Sequence, residues 1–183
     1  MKLKKAAPST ILTCFLLLIG YSQNTEYAMS KGETLNKFAK RIIPVEMKLA
    51  HPVVEGDFGN TKGNIVVLFH KNDADECTGW VLIPEGSRYK KFILPTPDFK
   101  IVPTILSVFF ANANADANAD REVLILAQYY SRAGGRGPWY NVYVYHWTGE
   151  KLMYLDDISE ELSDQAKYRT TQAVRKRLKE LGY

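Results

Sequence analysis

The sequence predicts an α+β fold that is dominated by antiparallel β-sheet, with one amphipathic helix at each end of the domain packed on the sheet. Short apolar runs rich in β-branched and aromatic residues alternate with turn clusters, which is typical of a meander of strands and hairpins. The first and last segments of the domain instead repeat apolar residues at helical spacing. Residues 23–183 are numerous enough for a single globular domain with its own core.

Residues 1–22 have the pattern of a secretory signal peptide, which predicts that the domain works in the periplasm or outside the cell. An apolar, uncharged run at 11–20 is shorter than the roughly 20 residues that cross a bilayer, so the mature chain is expected to have no transmembrane segment. A basic start precedes this run, and small residues follow it at the expected cleavage point (Lys2, Lys4, Lys5; Gly20, Ser22).

Removal of this segment would change both the charge and the cysteine content. The whole chain has 24 Lys and Arg against 20 Asp and Glu, and three of the lysines would leave, so the mature domain is expected to be nearly neutral. A nucleic-acid partner, which needs a clustered basic surface, is therefore not expected. Cys14 lies inside the apolar run, so lipid attachment there is not expected either. Cys77 would remain alone, without a disulfide partner and buried.

The first helix is predicted at 31–43. Ser30 with Glu33 three residues later has the spacing of a capping box, and Pro44 ends the helix. The apolar positions recur at helical spacing and form the face that packs on the sheet (Leu35, Phe38, Ala39, Ile42, Ile43).

Strands follow this helix. The sequence predicts them within 45–58 and at 65–70, 79–86, 90–95, 104–110 and 122–130, followed by a hairpin at 141–155 that turns at Thr148–Glu150. The chain then ends in a second helix, with Ser163 as its cap. Its apolar stripe contains Ala166, Ala173, Val174, Leu178 and Leu181. Its basic cluster either faces water and complements the helix dipole or contacts an acidic partner or lipid surface (Arg175, Lys176, Arg177, Lys179).

The strand at 141–147 separates two kinds of side chain by alternation. Tyr143, Tyr145 and Trp147 share one face, while Val142 and Val144 share the other. The aromatic face is a platform for a protein or carbohydrate partner if the aliphatic face is inside, or core if a helix covers it. The glycine-rich loop before the strand adds residue types that are common at binding hot spots, so a partner surface is predicted from both (Arg132, Arg136, Trp139, Tyr140).

Two segments, 56–69 and 113–126, each place a polar turn directly before an apolar strand. Gly56, Asp57 and Phe58 in the first, and the alternating oxygens of the second, resemble the FG-GAP repeat of integrin-like propellers. That resemblance implies a calcium site on the loop oxygens (Asp116, Asn118, Asp120, Glu122). Arg121 stands where the family has glycine, and Glu122 comes two residues early. The other interpretation is an ordinary polar loop.

Two repeats fall short of the four blades that a propeller needs, so the resemblance implies a sheet-rich fragment of that architecture, or a dimer. Apart from calcium, no cofactor is expected. The three histidines and Cys77 lack the close spacing of zinc ligands (His51, His70, His146). The chain has no Gly-x-Ser-x-Gly nucleophile motif.

The sequence therefore favours a non-catalytic binding or interaction protein of the cell envelope, with a protein or carbohydrate partner. Two alternatives stay open: an envelope hydrolase or its accessory factor, and a periplasmic immunity or inhibitor protein. The oligomeric state is left open.

Overall fold

The structure is a computed structural model, which describes residues 27–71, 77–95, 103–113, 121–130, 137–163 and 168–183. The predicted signal peptide lies outside these residues. The elements in chain order are α1 (Leu35–Ile42), β1 (Met47–Leu49), β2 (Val54–Phe58), β3 (Thr61–Lys71), β4 (Cys77–Glu85), β5 (Arg88–Ile93), β6 (Thr104–Ala111), β7 (Glu122–Tyr129), β8 (Trp139–Trp147), β9 (Leu152–Tyr154), α2 (Asp156–Leu162) and α3 (Thr171–Leu181). The predicted α+β class is confirmed.

Two antiparallel sheets contain all nine of these strands. In the first sheet, β3, β4 and β5 follow one another, and β1 and β2 both pair with the free side of β3. In the second sheet, β6, β7, β8 and β9 form a four-stranded meander. The predicted hairpin is confirmed: Thr148 N–H donates to Lys151 C=O at 3.1 Å, and Gly149 between them has a φ of 93°.

The inner faces of the two sheets pack on each other. Phe58 of β2 stacks on Phe110 of β6 with ring centroids 5.7 Å apart, and Phe92 of β5 meets Trp147 of β8 edge-on at 4.5 Å. Buried aliphatic residues from both sheets fill the space between these pairs, among them Val66, Val81, Val123 and Ile125. This inter-sheet core makes the two sheets one globular unit.

The outer face of each sheet is covered by helices. Helix α1 packs on the first sheet through Phe38, Ala39 and its C-cap residue Ile43. Helices α2 and α3 pack on the second sheet through Ile158, Leu162, Val174 and Leu178. The described part of the molecule thus has four layers, in the order helix, sheet, sheet, helices. The predicted helix at each end is confirmed, and α2 is an additional one.

The predicted start of the first helix is wrong by one turn. Ser30 and Glu33 do interact, since the Glu33 carboxylate accepts Ser30 N–H at 2.9 Å, but they form a turn before the helix. Gly32 has a φ of 77°, which a right-handed helix does not allow. The helix begins at Leu35, and the hydroxyl of Thr34 caps it by accepting Lys37 N–H at 3.4 Å.

The predicted cap of the last helix is also wrong. Ser163 is the C-cap residue of α2, and its hydroxyl accepts Val142 N–H at 2.9 Å. The last helix instead begins at Thr171, because the Thr170 hydroxyl accepts Ala173 N–H at 3.2 Å and the regular apolar stripe starts only there. Ala166 of the predicted stripe lies outside the described residues.

The close approach of the two sheets makes Gly56 sensitive to substitution. A methyl group at this position would overlap the Phe110 ring, which stacks on Phe58. We expect Gly56→Ala to lower the free energy of unfolding by about 1 to 3 kcal/mol, the range for overpacked cores, as measured by urea denaturation. Gly137→Ala is the control, since its added methyl group meets nothing within 4 Å. Equal stabilities of the two variants would contradict the packing at Gly56.

Candidate functional site

The aromatic stripe of β8 lies inside the protein. Tyr143, Tyr145 and Trp147 are 5%, 2% and 6% exposed and belong to the inter-sheet core. Val142 and Val144, on the opposite face, are buried under α2 and α3. The aromatic face of β8 is therefore core and not an exposed platform, but the first sheet covers it rather than the expected helix, and the helices cover the valine face instead.

The other residues of the predicted partner surface are divided. Tyr140 is buried, and its hydroxyl accepts the Gln128 side-chain amide at 3.1 Å. Trp139 is partly exposed and stacks on Tyr129 at a centroid distance of 5.4 Å. Arg132 and Arg136 lie outside the described residues. Only Trp139 of the described members therefore offers surface to a partner.

Cys77 lines a small cavity between the sheets. The cavity has a volume of about 20 Å³, which is room for about one water molecule, and Tyr143 and Tyr145 also line it. Burial raises the pKa of the Cys77 thiol to about 11. His70 is directly opposite Cys77 in the pairing of β3 with β4, but the thiol stays protonated at neutral pH. The arrangement does not provide an activated nucleophile.

Glu122 is the only one of the four predicted calcium ligands among the described residues. It is fully buried, with one carboxylate oxygen accepting Ala113 N–H at 2.7 Å and the other lying 3.1 Å from His146 Nδ1. The contact with Ala113 joins the end of β6 to the start of β7, and the contact with His146 joins β7 to β8. Asp116, Asn118 and Asp120 lie outside the described residues, so calcium binding there stays a prediction. Within the described ranges, no cluster of three or more His, Cys, Asp or Glu side chains is arranged for a metal.

The two segments that resemble FG-GAP repeats have equivalent positions in the two sheets. Each leads into the second strand of a four-stranded antiparallel run, β2 to β5 or β6 to β9. They also meet, since Gly59 N–H donates to Arg121 C=O at 3.1 Å. In the first segment, the Asp57 carboxylate accepts Gly63 N–H at 3.0 Å and so shapes the hairpin. The family assignment itself stays a prediction.

The basic cluster of α3 is partly used within the fold. Arg175 donates to the Phe110 carbonyl at 2.9 Å and lies 5.1 Å from the centroid of the Phe109 ring. Arg177 donates to the Glu161 carboxylate at 3.2 Å. These contacts favour a structural role for the cluster over a binding surface.

A groove between α1 and the start of the first sheet is the strongest candidate site. It has a volume of about 680 Å³, which is in the size range of ligand pockets. We call it the α1–β1 groove. Its lining residues come from one stripe of the helix and from the segment that contains β1 (Asn36, Lys40, Ile43; Met47, Lys48, Leu49, Ala50, His51, Pro52).

Hydrogen bonds from α1 hold the two walls of this groove in place. The side-chain oxygen of Asn36 accepts Val53 N–H at 3.1 Å, which fixes the strand segment to the helix. Arg41 anchors the start of the helix, with Nε and Nη2 donating to the two oxygens of Glu33 at 2.9 and 2.8 Å. This bidentate ion pair lowers the pKa of Glu33 to about 2.

The groove combines an apolar floor with a cationic rim. Ile43 is buried, and Met47 and Leu49 are half-buried. Lys40 and Lys48 are exposed, and among the residues that the structure describes no carboxylate lies within ion-pair distance of either ammonium group. The chemistry of the groove therefore suits an occupant that is apolar in part and negatively charged.

The sequence did not identify these residues as a site. The sequence feature that could have indicated a sheet edge here is Pro52 within an otherwise strand-like segment, because proline in sheets is mostly confined to edge strands. Lys40 and Lys48 come from different elements, so only the packing of α1 on β1 brings them to one groove.

No model of a known protein family, no curated protein and no solved structure matches this chain. Among the helices within the described ranges, none is both long enough and apolar enough to cross a membrane.

The ion pair between Glu33 and Arg41, which anchors the start of α1, can be tested through the pKa of Glu33. We expect Arg41→Met to raise the pKa of Glu33 from about 2 toward its ordinary value of 4.5, since the Arg41 hydrogen bonds are the main cause of the shift. Carbon-detected NMR titration of the carboxyl group measures this. Because the folded-state pKa is lowered, the stabilisation is complete above about pH 4.5 and is lost as the pH falls toward 2. Lys37→Met, which removes a minor cause, should change the pKa much less; equal shifts in both variants would refute the pairing.

The buried thiol gives a second test. With a folded-state pKa of about 11 against an ordinary 9.0, Cys77 should react with an alkylating reagent at pH 8 about 100-fold more slowly than in urea, since the thiolate is the reactive species. Stability linked to this group is present below pH 9 and is lost as the pH rises toward 11. The Cys77→Ser variant gives the background of the assay. Fast labelling of the folded protein would show that Cys77 is accessible and reactive.

Proposed function

We propose that this chain is a non-catalytic binding protein of the cell envelope and that the α1–β1 groove is its contact surface. The observation that carries the proposal is the combination of an apolar floor at Ile43 and Met47 with the side chains of Lys40 and Lys48, neither of which has a carboxylate within ion-pair distance among the described residues. Recognition sites commonly have such a mostly apolar concavity with a few placed polar groups. The location in the envelope rests on the signal peptide predicted at 1–22.

The positions of the reactive side chains support binding over catalysis. Cys77 is a protonated thiol beside a cavity that holds about one water molecule. The Glu122 carboxylate accepts the Ala113 N–H after β6 and contacts His146 of β8, so its polar contacts hold β7 to the neighbouring strands. The described residues that line the α1–β1 groove, in contrast, include no carboxylate or thiol, and the imidazole among them is that of His51.

The proposed contact surface differs from the one that the sequence predicts. Tyr143, Tyr145 and Trp147 are core residues, and exposing them would separate the two sheets. The α1–β1 groove is open to solvent on the outer side of the first sheet, where a partner reaches it without any change in the core. A protein or carbohydrate partner with acidic groups fits its charge.

Site-specific photo-crosslinking in the native host tests this proposal. A photoreactive phenylalanine analogue in place of Lys48 is expected to give a discrete adduct with an envelope component, and mass spectrometry of the adduct tells protein from glycan. The same analogue in place of Lys176, an exposed residue of α3, is the matched control. The substitution Lys40→Glu should reduce the yield from position 48 by about fivefold or more, because it reverses one rim charge. Adducts from position 176 with none from position 48 would refute the groove as the contact surface.

A further inference from the structure

The backbone of β1 offers hydrogen-bonding groups to the α1–β1 groove. Ala50 N–H donates to Leu68 C=O at 2.8 Å, so Ala50 points its backbone groups toward β3. In an antiparallel ladder, alternate residues point the same way. The backbone N–H and C=O of Lys48 therefore also point toward β3, whereas those of Leu49 point away from the sheet. Leu49 is one of the residues that line the groove.

Two other strand edges of the molecule already have a covering contact. At the edge of the first sheet, Tyr89 N–H of β5 donates to Tyr27 C=O at 2.7 Å. At the edge of the second sheet, the Phe110 carbonyl of β6 accepts from Arg175 of α3 at 2.9 Å. Natural sheets usually cover or charge their edges in this way, since an open edge pairs with other chains. The edge at Leu49 has no such contact in the described structure and faces a groove.

We propose that the α1–β1 groove binds an extended, acidic peptide segment of its partner by strand addition to β1. This inference rests on the proposed function and names the partner chemistry. An added strand places one residue opposite Leu49, where it exchanges two backbone hydrogen bonds, and alternate side chains of the segment then reach the apolar floor. Met47 and Leu49 pack toward α1 and Ala50 packs toward the other sheet, so Lys48 projects from the face of β1 opposite Leu49. Acidic side chains that alternate with apolar ones in the segment therefore lie on the Lys48 face, which supplies the charge complementarity.

The geometry also limits the strength and the length of this interaction. β1 has three residues, and Met47 N–H already donates to Pro44 C=O at 2.9 Å. The regular pairing of β1 ends at Leu49, and 50–53 are placed against only two residues of β3, so strand addition stops there. One reciprocal pair and a few side-chain contacts predict a dissociation constant on the order of 0.1 mM for a short peptide. Selectivity then comes mainly from charge.

An NMR titration with a defined probe tests the inference. The probe is a capped hexapeptide that alternates Glu and Val, added to the ¹⁵N-labelled chain as its host exports it. We expect chemical-shift changes confined to 36–53 and an amide exchange rate at Leu49 that is about tenfold slower at saturating peptide. The matched peptide with Lys in place of Glu should bind at least tenfold more weakly. The double substitution Lys40→Glu with Lys48→Glu should reverse this preference.

Two further arms identify the ways in which the inference fails. A hexapeptide with N-methyl groups on the pairing residues should lose binding, and equal binding by it would show that backbone pairing does not contribute. Vesicles of phosphatidylglycerol, compared with phosphatidylcholine, test an anionic lipid surface. Shifts in 36–53 with these vesicles but not with the acidic peptide would overturn the inference in favour of a membrane.

The crosslinking and peptide experiments fail separately. If position 48 gives adducts while the acidic peptide leaves Leu49 exchange unchanged, the groove is the contact surface but strand addition is wrong. If the peptide protects Leu49 but position 48 gives no adduct in the host, strand addition is supported and the proposed function is refuted. If neither result is obtained, both proposals are wrong.

Discussion

The rest of the structure depends on the burial of both faces of both sheets. In β7 the four consecutive residues Val123, Leu124, Ile125 and Leu126 are all buried, alternately against the other sheet and against α2 and α3. A strand that is covered on both sides needs apolar residues at every position rather than at every second one. In the part of the chain that the structure describes, this four-layer packing leaves the helix surfaces, the loops and the strand edges for contact with a partner.

The elements of this fold were largely predictable because each depends on local sequence. The apolar runs before turn clusters predicted β3, β4, β7 and β8, and Gly149 between Thr148 and Glu150 marked the last hairpin. The helix ends were less predictable. Ser30, Thr34, Ser163 and Thr170 are all good cap residues, and the choice among them depends on Gly32 in the left-handed region and on which stripe meets the sheet.

The candidate site was much less predictable than the fold. Alternation in β8 shows that Tyr143 and Val144 face opposite ways, but it contains no information on what covers each face. A helix over Tyr143 and a sheet over it are compatible with the same sequence. The α1–β1 groove depends on tertiary packing in a stronger sense, since Lys40 and Lys48 belong to elements that the turn at 43–46 folds against each other. No motif marks such a pair.

The α1–β1 groove and the protection of the sheet edge both result from extra residues between β1 and β2. Leu49 of β1 is opposite Phe69, and Val54 of β2 is opposite Val66, so four residues at 50–53 are placed against two residues of β3. The excess residues interrupt what is otherwise one long edge strand, and the Pro52 ring removes a donor from it. A long, flat edge invites uncontrolled pairing between chains. The interruption limits pairing to the short segment at Leu49, and Asn36 holds the displaced segment through Val53. An edge that is short, charged at its rim and backed by a helix is selective because few segments satisfy all three conditions.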